Sequence, residues 1–178
     1  MHSMNELLPD TFPPYTVEDR LLQLLKTPIE QPELLTTLLP IIIGFVVIEL
    51  YFGKHKTEEL GWNTSVGNAI IWVTTGLSVL ITEDLGQGEQ FLIYSLIVLG
   101  VFVGYMNFFH KWSSEIAFTV SSAGIIYSFA YVAVVIAKTD IPVDETVLKA
   151  GLVFIVGVNI FFKIVKWFES PSRDDLRF

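Results

Sequence analysis

Five long apolar stretches constrain the fold of this chain more than any other feature. A transmembrane helix needs about 17–25 mostly apolar residues, and a helix that is apolar on every side belongs in a membrane or a very large core. The sequence therefore predicts an all-α fold: a polytopic membrane helix bundle of five transmembrane helices plus a short N-terminal amphipathic helix. The five stretches occupy residues 34–52, 66–81, 91–109, 116–137 and 146–165.

The composition agrees with burial in lipid. Apolar residues make up 52% of the 178 residues and charged residues 17%, and the mean hydropathy is +0.56. A soluble domain carries about 25% charged residues. The connections are short, so consecutive helices are expected to be antiparallel neighbours. We divide the chain into an N-terminal extramembrane segment (1–33), a five-helix transmembrane bundle (34–165) and a cytoplasmic C-terminal tail (166–178).

The distribution of Lys and Arg predicts the orientation. Seven of the 11 basic residues fall on the side that holds the C-terminus, and the other four fall on the side of the N-terminus. Positive residues favour the cytoplasmic side of a membrane. We therefore expect a multi-pass protein of the cell (plasma) membrane, with its N-terminus outside and its C-terminus in the cytoplasm. Aromatic residues at the predicted inner helix ends, including Tyr51, Trp62, Trp112 and Trp167, are typical of the headgroup level.

Several classes of chemistry are disfavoured by what the sequence lacks. It contains no cysteine, which excludes disulfides and thiolate metal sites. The net charge of −8 argues against nucleic acid as a partner, because phosphate binding needs concentrated basic residues. No HExxH, GxSxG, GxGxxG or Walker motif is present. We expect no enzymatic activity, no catalytic residue, no cofactor and no metal site.

The segment "TVEDRLLQLLK" predicts the short amphipathic helix. Thr16 is placed to cap it, with Asp19 three residues later. Its leucines share one side of the helix. Two interpretations remain open: the helix lies in the outer headgroup layer, or it is a docking segment for a neighbour or partner.

Small residues on two of the apolar stretches predict close helix packing. Gly100 and Gly104 form a GxxxG motif in the third stretch, and Ser121, Gly124 and Ser128 form a comparable face in the fourth. Such faces let two helix backbones approach closely. They could pack helices within one chain, or they could form an oligomer interface.

A group of polar residues falls at the predicted inner membrane face. It comprises Glu49, Asn68, Asn107, Glu115, Asn159 and Lys163. Because charges in lipid must be paired or hydrated, we expect Glu49 or Glu115 to pair with Lys163, and asparagine amides to bridge helices. The cluster either fixes the register of the helices or forms a polar mouth for an ion, proton or small solute.

The stretch "IELYFGKHKTEELGWNTSVGNA", residues 48–69, resembles a group of uncharacterised small polytopic membrane proteins from archaeal genomes. Those proteins also place an ELGWN-type sequence after the first span. The resemblance implies a protein of archaeal type. It implies no activity and no site residue.

Together these features predict a non-enzymatic structural or assembly subunit of a larger membrane complex. Its expected partners are membrane lipids and the transmembrane helices of a homo- or hetero-oligomer. The alternative is an oligomeric ion or small-solute channel with the inner polar cluster as its mouth.

Overall fold

A computed structural model describes residues 15–55, 61–139 and 141–168 of the chain. The described residues are almost entirely helical, and a short 3-10 turn, Pro32–Leu34, precedes the second helix. The helices are α1 (Val17–Glu30), α2 (Leu35–Lys54), α3 (Trp62–Thr82), α4 (Gln87–Phe108), α5 (Ser114–Val120), α6 (Ala123–Ala137) and α7 (Glu145–Phe168).

The described chain contains five helical segments long and apolar enough to cross a membrane. Four of them are α2 with its preceding turn, α3, α4 and α7, and the fifth consists of α5 and α6 together. The predicted all-α membrane bundle is therefore confirmed, and the chain is an integral membrane protein. The helix α7 continues to Phe168, beyond residue 165, where we had ended the bundle. The remainder of the predicted tail lies outside the described residues.

The amphipathic helix α1 forms as its sequence predicts. The side-chain oxygen of Thr16 accepts a hydrogen bond from the Asp19 amide, and the Asp19 carboxylate accepts one from the Thr16 amide at 2.9 Å. The helix packs mainly against α7 and also contacts α6. The Tyr131 hydroxyl of α6 donates to the Leu24 carbonyl at 2.8 Å. Part of α1 therefore docks on the bundle of its own chain.

The helix α6 lies at the centre of the bundle. Thirteen of its fifteen residues are buried, on every side of the helix. The helices α3 and α4 pack tightly together on one side of it, and α2 and α7 contact each other on the other side. An apolar helix without a polar face is expected in such a central position.

Two grooves reach α6 from the sides of the bundle. A groove of about 480 Å³ lies between α2 and α3, with Tyr127 of α6 among its lining residues. A second groove of about 270 Å³ is lined almost entirely by apolar side chains of α4, α6 and α7. The bundle thus consists of two helix pairs with α6 between them.

The bundle has two ends, which hold different turns and links of the chain. The α1 end holds α1, the α3–α4 link and the α6–α7 link. The C-terminal end holds the last turns of α2, α4 and α7 and the first turns of α3 and α5.

Candidate functional site

The fourth membrane segment is broken near its first third, and polar side chains from three other helices meet at the break. The helix α5 ends at Val120, Ser122 has an extended backbone with φ −61° and ψ 147°, and α6 begins at Ala123. The stretch predicted over residues 116–137 is one membrane segment, as expected, but the structure divides it into α5 and α6. Adjacent serines make a break possible, because they compete for backbone hydrogen bonds and favour helix caps over helix interiors.

Non-helical backbone at membrane depth is tolerated only where its polar groups find partners inside the protein. Asn68 of α3 supplies one, because its amide Nδ2 donates to the Ser121 carbonyl at 2.8 Å. Asn107 of α4 supplies another, donating from Nδ2 to the Ser121 hydroxyl at 2.6 Å. The break is thus bound by two helices of the same pair.

The third asparagine approaches from the opposite helix pair. Asn159 of α7 donates from Nδ2 to the Gly124 carbonyl at 3.1 Å and to the Ile155 carbonyl of its own helix at 2.8 Å. Its amide oxygen occupies the space that a Cβ on Gly124 would need. A side chain at position 124 would therefore displace the Asn159 amide from this contact.

Two tryptophans extend this network. The Trp72 indole N–H donates to the Ile126 carbonyl at 2.7 Å, in the first turn of α6. The Trp112 indole N–H donates to the Asn107 amide oxygen, also at 2.7 Å. Asn107 has 0% of its surface exposed. Trp112 was expected at headgroup level, and its hydrogen bond to the buried Asn107 was not predicted from the sequence.

The ion pair of the cluster differs from the predicted one. The Glu49 carboxylate, in a residue only 7% exposed, lies 2.6 Å from the Lys166 ammonium. Lys163 is exposed, and so is Glu115 in the first turn of α5. The prediction that Lys163 forms the pair is therefore wrong.

Helical periodicity explains why Lys166, and not Lys163, pairs with Glu49. Asn159 and Lys166 are seven residues apart, which is two turns on one face of α7. On that face Phe162 packs against Phe45 of α2, with ring centroids 4.8 Å apart. Phe45 and Glu49 are one turn apart on α2, as Phe162 and Lys166 are on α7, so the aromatic contact fixes the register of the ion pair.

Electrostatics also favour a carboxylate at this place. A Glu49 carboxylate oxygen lies 3.5 Å from the position that a Gly124 Cβ would take. Gly124 is the second residue of α6. The carboxylate therefore lies beside a helix N-terminus, where the helix dipole stabilises negative charge.

The predicted small-residue faces pack within the chain. A Cβ on Gly100 would lie 2.9 Å from side-chain atoms of Trp72 and Val73, and Gly104 faces Ala69 more loosely, at 3.7 Å. The small residues of the broken segment, Ser121, Gly124 and Ser128, are buried. These contacts correspond to the first of the two interpretations, packing within one chain.

The side chains that meet at the helix break are hydrogen-bond donors that already have acceptors within the protein. Its three asparagines and two tryptophans all donate to protein acceptors. In the part of the chain that the structure describes, no group of three or more His, Asp or Glu residues is arranged to hold a metal ion. The arrangement joins α3, α4 and α7 to the broken helix, and α2 through Glu49.

Comparison with known proteins gave no matching family model, no significant match among curated proteins and none among solved structures.

Proposed function

We propose that this integral membrane protein is a non-enzymatic structural or assembly subunit of a larger membrane complex. The observation that carries the proposal is the network of buried hydrogen bonds at the helix break. Polar groups that conduct or bind a solute must be available to replace its hydration shell. Here the amide nitrogens of Asn68, Asn107 and Asn159 donate to acceptors of the protein itself, which supports a rigid, packed role.

The helix α7 supports the proposal from the outside of the bundle. Only 17% of the apolar 18-residue stretch of α7 is buried within the chain. The corresponding stretches of the segments containing α2, α3 and α4 are 28–33% buried. The exposed face of α7 includes Leu152, Val153, Val156 and Ile160. Gly157 lies on this helix with no atom within 4 Å of the place its Cβ would occupy. Glycine with flanking apolar residues suits a second transmembrane helix, and we assign that helix to another subunit.

The localisation that we propose follows the charge pattern. In the sequence, seven of the 11 basic residues fall on the side of the membrane that is predicted to hold the C-terminal end of the bundle. Aromatic side chains of Tyr51, Phe108, Phe109 and Trp167 are exposed at this same end, as expected for a headgroup belt. We place this end at the cytoplasmic face of the cell membrane and the α1 end outside.

The test uses the absence of native cysteine. A single cysteine replaces Gly157 on α7, and a matched control cysteine replaces Val98, which is exposed on α4. In native membranes, Gly157→Cys should give an oxidative or bismaleimide cross-link to a second polypeptide, and Val98→Cys should not. Equal cross-linking of both positions, or of neither, together with a monomeric mass after purification in mild detergent, would overturn the proposal.

One observation favours the channel as a second candidate. The groove between α2 and α3 is lined by hydroxyl-bearing residues, including Thr37, Thr75 and Ser78, with Tyr127 beside them. If chains assemble around this groove, its hydroxyls would line a polar path. Thr75→Val should then change single-channel conductance in planar bilayers while leaving the assembly mass unchanged. A wild-type protein without conductance excludes this candidate.

A further inference from the structure

A groove of mixed character lies between α2 and α7 at the C-terminal end. Its volume is about 570 Å³. Two lysines and four apolar side chains line it: Phe52, Ile160, Lys163, Ile164, Lys166 and Trp167. The groove therefore combines two basic side chains with apolar surface.

The two lysines of the groove have different roles. The Lys166 ammonium is held by Glu49 at 2.6 Å, so its charge is balanced and its stem is fixed as part of the wall. Lys163 lies three residues earlier, on a neighbouring part of the same helix surface, and is exposed. With Glu49 counted, these three residues leave one net positive charge in a chain whose net charge is −8. A single phosphodiester would complement that charge.

The apolar side chains of the groove extend along α7 from its last turn toward the middle of the helix. Trp167 is 77% exposed in the last turn of α7, the position typical of headgroup level. Ile164 and Ile160 are also exposed, about one and two turns deeper along the helix. A soluble anion would gain nothing from this apolar surface. A lipid would place its phosphate beside the lysines and an acyl or alkyl chain along the isoleucines.

We infer that the groove between α2 and α7 binds an anionic membrane phospholipid. The phosphate contacts the Lys163 ammonium, with Lys166 beside it, and the apolar chain lies along Ile160, Ile164 and Phe52. Basic pockets between transmembrane helices are known to hold anionic headgroups. This inference does not depend on the proposed assembly role, because it concerns a different ligand and rests on the lysines and Trp167 in the last turns of α7; Ile160 borders both surfaces.

The experiment measures lipid binding to the full-length, delipidated protein by native mass spectrometry. Phosphatidylglycerol and phosphatidylcholine with identical chains are the probes. We expect the wild-type protein to bind phosphatidylglycerol more tightly, and Lys163→Gln to weaken that binding about fivefold with little effect on phosphatidylcholine. The matched control is Lys149→Gln, an exposed lysine of the same helix at the α1 end, paired with Glu145. It should leave both affinities unchanged.

Three results would overturn the inference. Equal wild-type affinity for the two lipids would show that charge is not recognised. An equal loss in Lys163→Gln and Lys149→Gln would show diffuse attraction without a site. Displacement of the lipid by glycerol 3-phosphate at the same concentration would assign the groove to a soluble phosphate. Because Lys163 is exposed, an unchanged unfolding temperature in Lys163→Gln verifies that the variant is folded.

Discussion

The Glu49 carboxylate lies 2.6 Å from the Lys166 ammonium, and this contact joins α2 to the end of α7. The same carboxylate lies beside Gly124 at the start of α6. Three helices therefore meet where the fourth membrane segment is broken. One turn deeper, the Phe45 and Phe162 rings repeat the α2–α7 contact with apolar groups. Charge and packing thus specify the same register.

Removing Lys166 should destabilise the bundle. Lys166→Gln leaves the Glu49 carboxylate buried without its cation. A fully buried pair costs about 3–5 kcal/mol to break and an exposed pair about 0–1 kcal/mol. The Lys166 side chain is 32% exposed, and its stem can carry the charge toward water, so we expect a loss of about 1–3 kcal/mol in the free energy of unfolding. The measurement is reversible unfolding in mixed micelles.

Two further variants make this result specific. Glu49→Gln combined with Lys166→Gln should recover part of the loss, because no charge is then stranded. Lys163→Gln should unfold like the wild-type protein. A Lys163 variant as unstable as the Lys166 variant would contradict the pairing described here.

The hydrogen bonds of Asn107 should also contribute to stability. Asn107→Leu removes the donor to the Ser121 hydroxyl and the acceptor of the Trp112 indole N–H. A buried group left without a partner costs about 1–3 kcal/mol, although single hydrogen bonds within membranes average nearer 0.6 kcal/mol. We expect a loss of about 1–3 kcal/mol in the free energy of unfolding. The exposed Asn63→Leu is the matched control, and an equal loss in both would argue against a structural role for the network.

The two glycines of the GxxxG motif should respond differently to alanine. A Cβ at position 100 would lie 3.1 Å from the Ala69 carbonyl oxygen, a backbone atom, as well as against Trp72 and Val73. Gly100→Ala should therefore cost about 1–3 kcal/mol through overpacking. At Gly104 the contact is an ordinary 3.7 Å, so Gly104→Ala should be neutral or slightly stabilising because alanine favours helix. Thermal unfolding of the two variants distinguishes these outcomes, and equal effects would contradict the packing.

The membrane architecture follows from the sequence because apolar length is a property of single segments. The stretches at 34–52, 66–81, 91–109 and 146–165 agree with α2, α3, α4 and α7 to within a few residues at each end. The Thr16–Asp19 cap was also predictable, because it involves residues only three apart. Asn68, Asn107 and Asn159 were correctly grouped with Glu49 at one end of the bundle, because helix direction alone decides the end.

The break and the ion pair depend on contacts between segments distant in sequence. Ser121 and Ser122 are weak helix formers, yet a serine pair in an apolar stretch does not require a break. The break is stabilised by Asn68, 53 residues away, and by Asn107, 14 residues away. Similarly, Lys163 and Lys166 both lie near Asn159 in the sequence, and only the packing of Phe162 against Phe45 selects Lys166. Spacing within one helix cannot provide that information.

Outside the membrane segments, the cap of α1 should make stability depend on pH. Hydrogen bonds from the Thr16 backbone and side chain lower the pKa of the Asp19 carboxyl below its ordinary value. A lowered pKa means that the folded state favours the ionised form. The stabilisation is therefore present above the ordinary aspartate pKa of about 3.9 and is lost as the pH falls through the lowered value.

The Asp19→Asn variant tests this dependence. It should reduce the acid-induced loss of α1 docking, monitored by the fluorescence of a probe attached at a single cysteine replacing Leu22, an exposed position of α1. The control Glu18→Gln removes the same charge from the neighbouring position and should retain the wild-type profile. A profile for Asp19→Asn that matches the wild-type one would show that the cap does not govern docking.

Cysteine labelling can measure the orientation of the bundle in the membrane directly. Gln87 is the first residue of α4 at the α1 end, and Ser114 is the first residue of α5 at the C-terminal end; both are exposed. In intact cells, an impermeant maleimide should label Gln87→Cys, whereas Ser114→Cys should react only after the membrane is opened. These matched positions share a helix-start environment, so a difference in labelling reports the side of the membrane and not local reactivity. Labelling of Ser114→Cys alone in intact cells would reverse the orientation and place the Lys163 groove in the outer leaflet, where the lipid inference could still be tested by the same binding measurement.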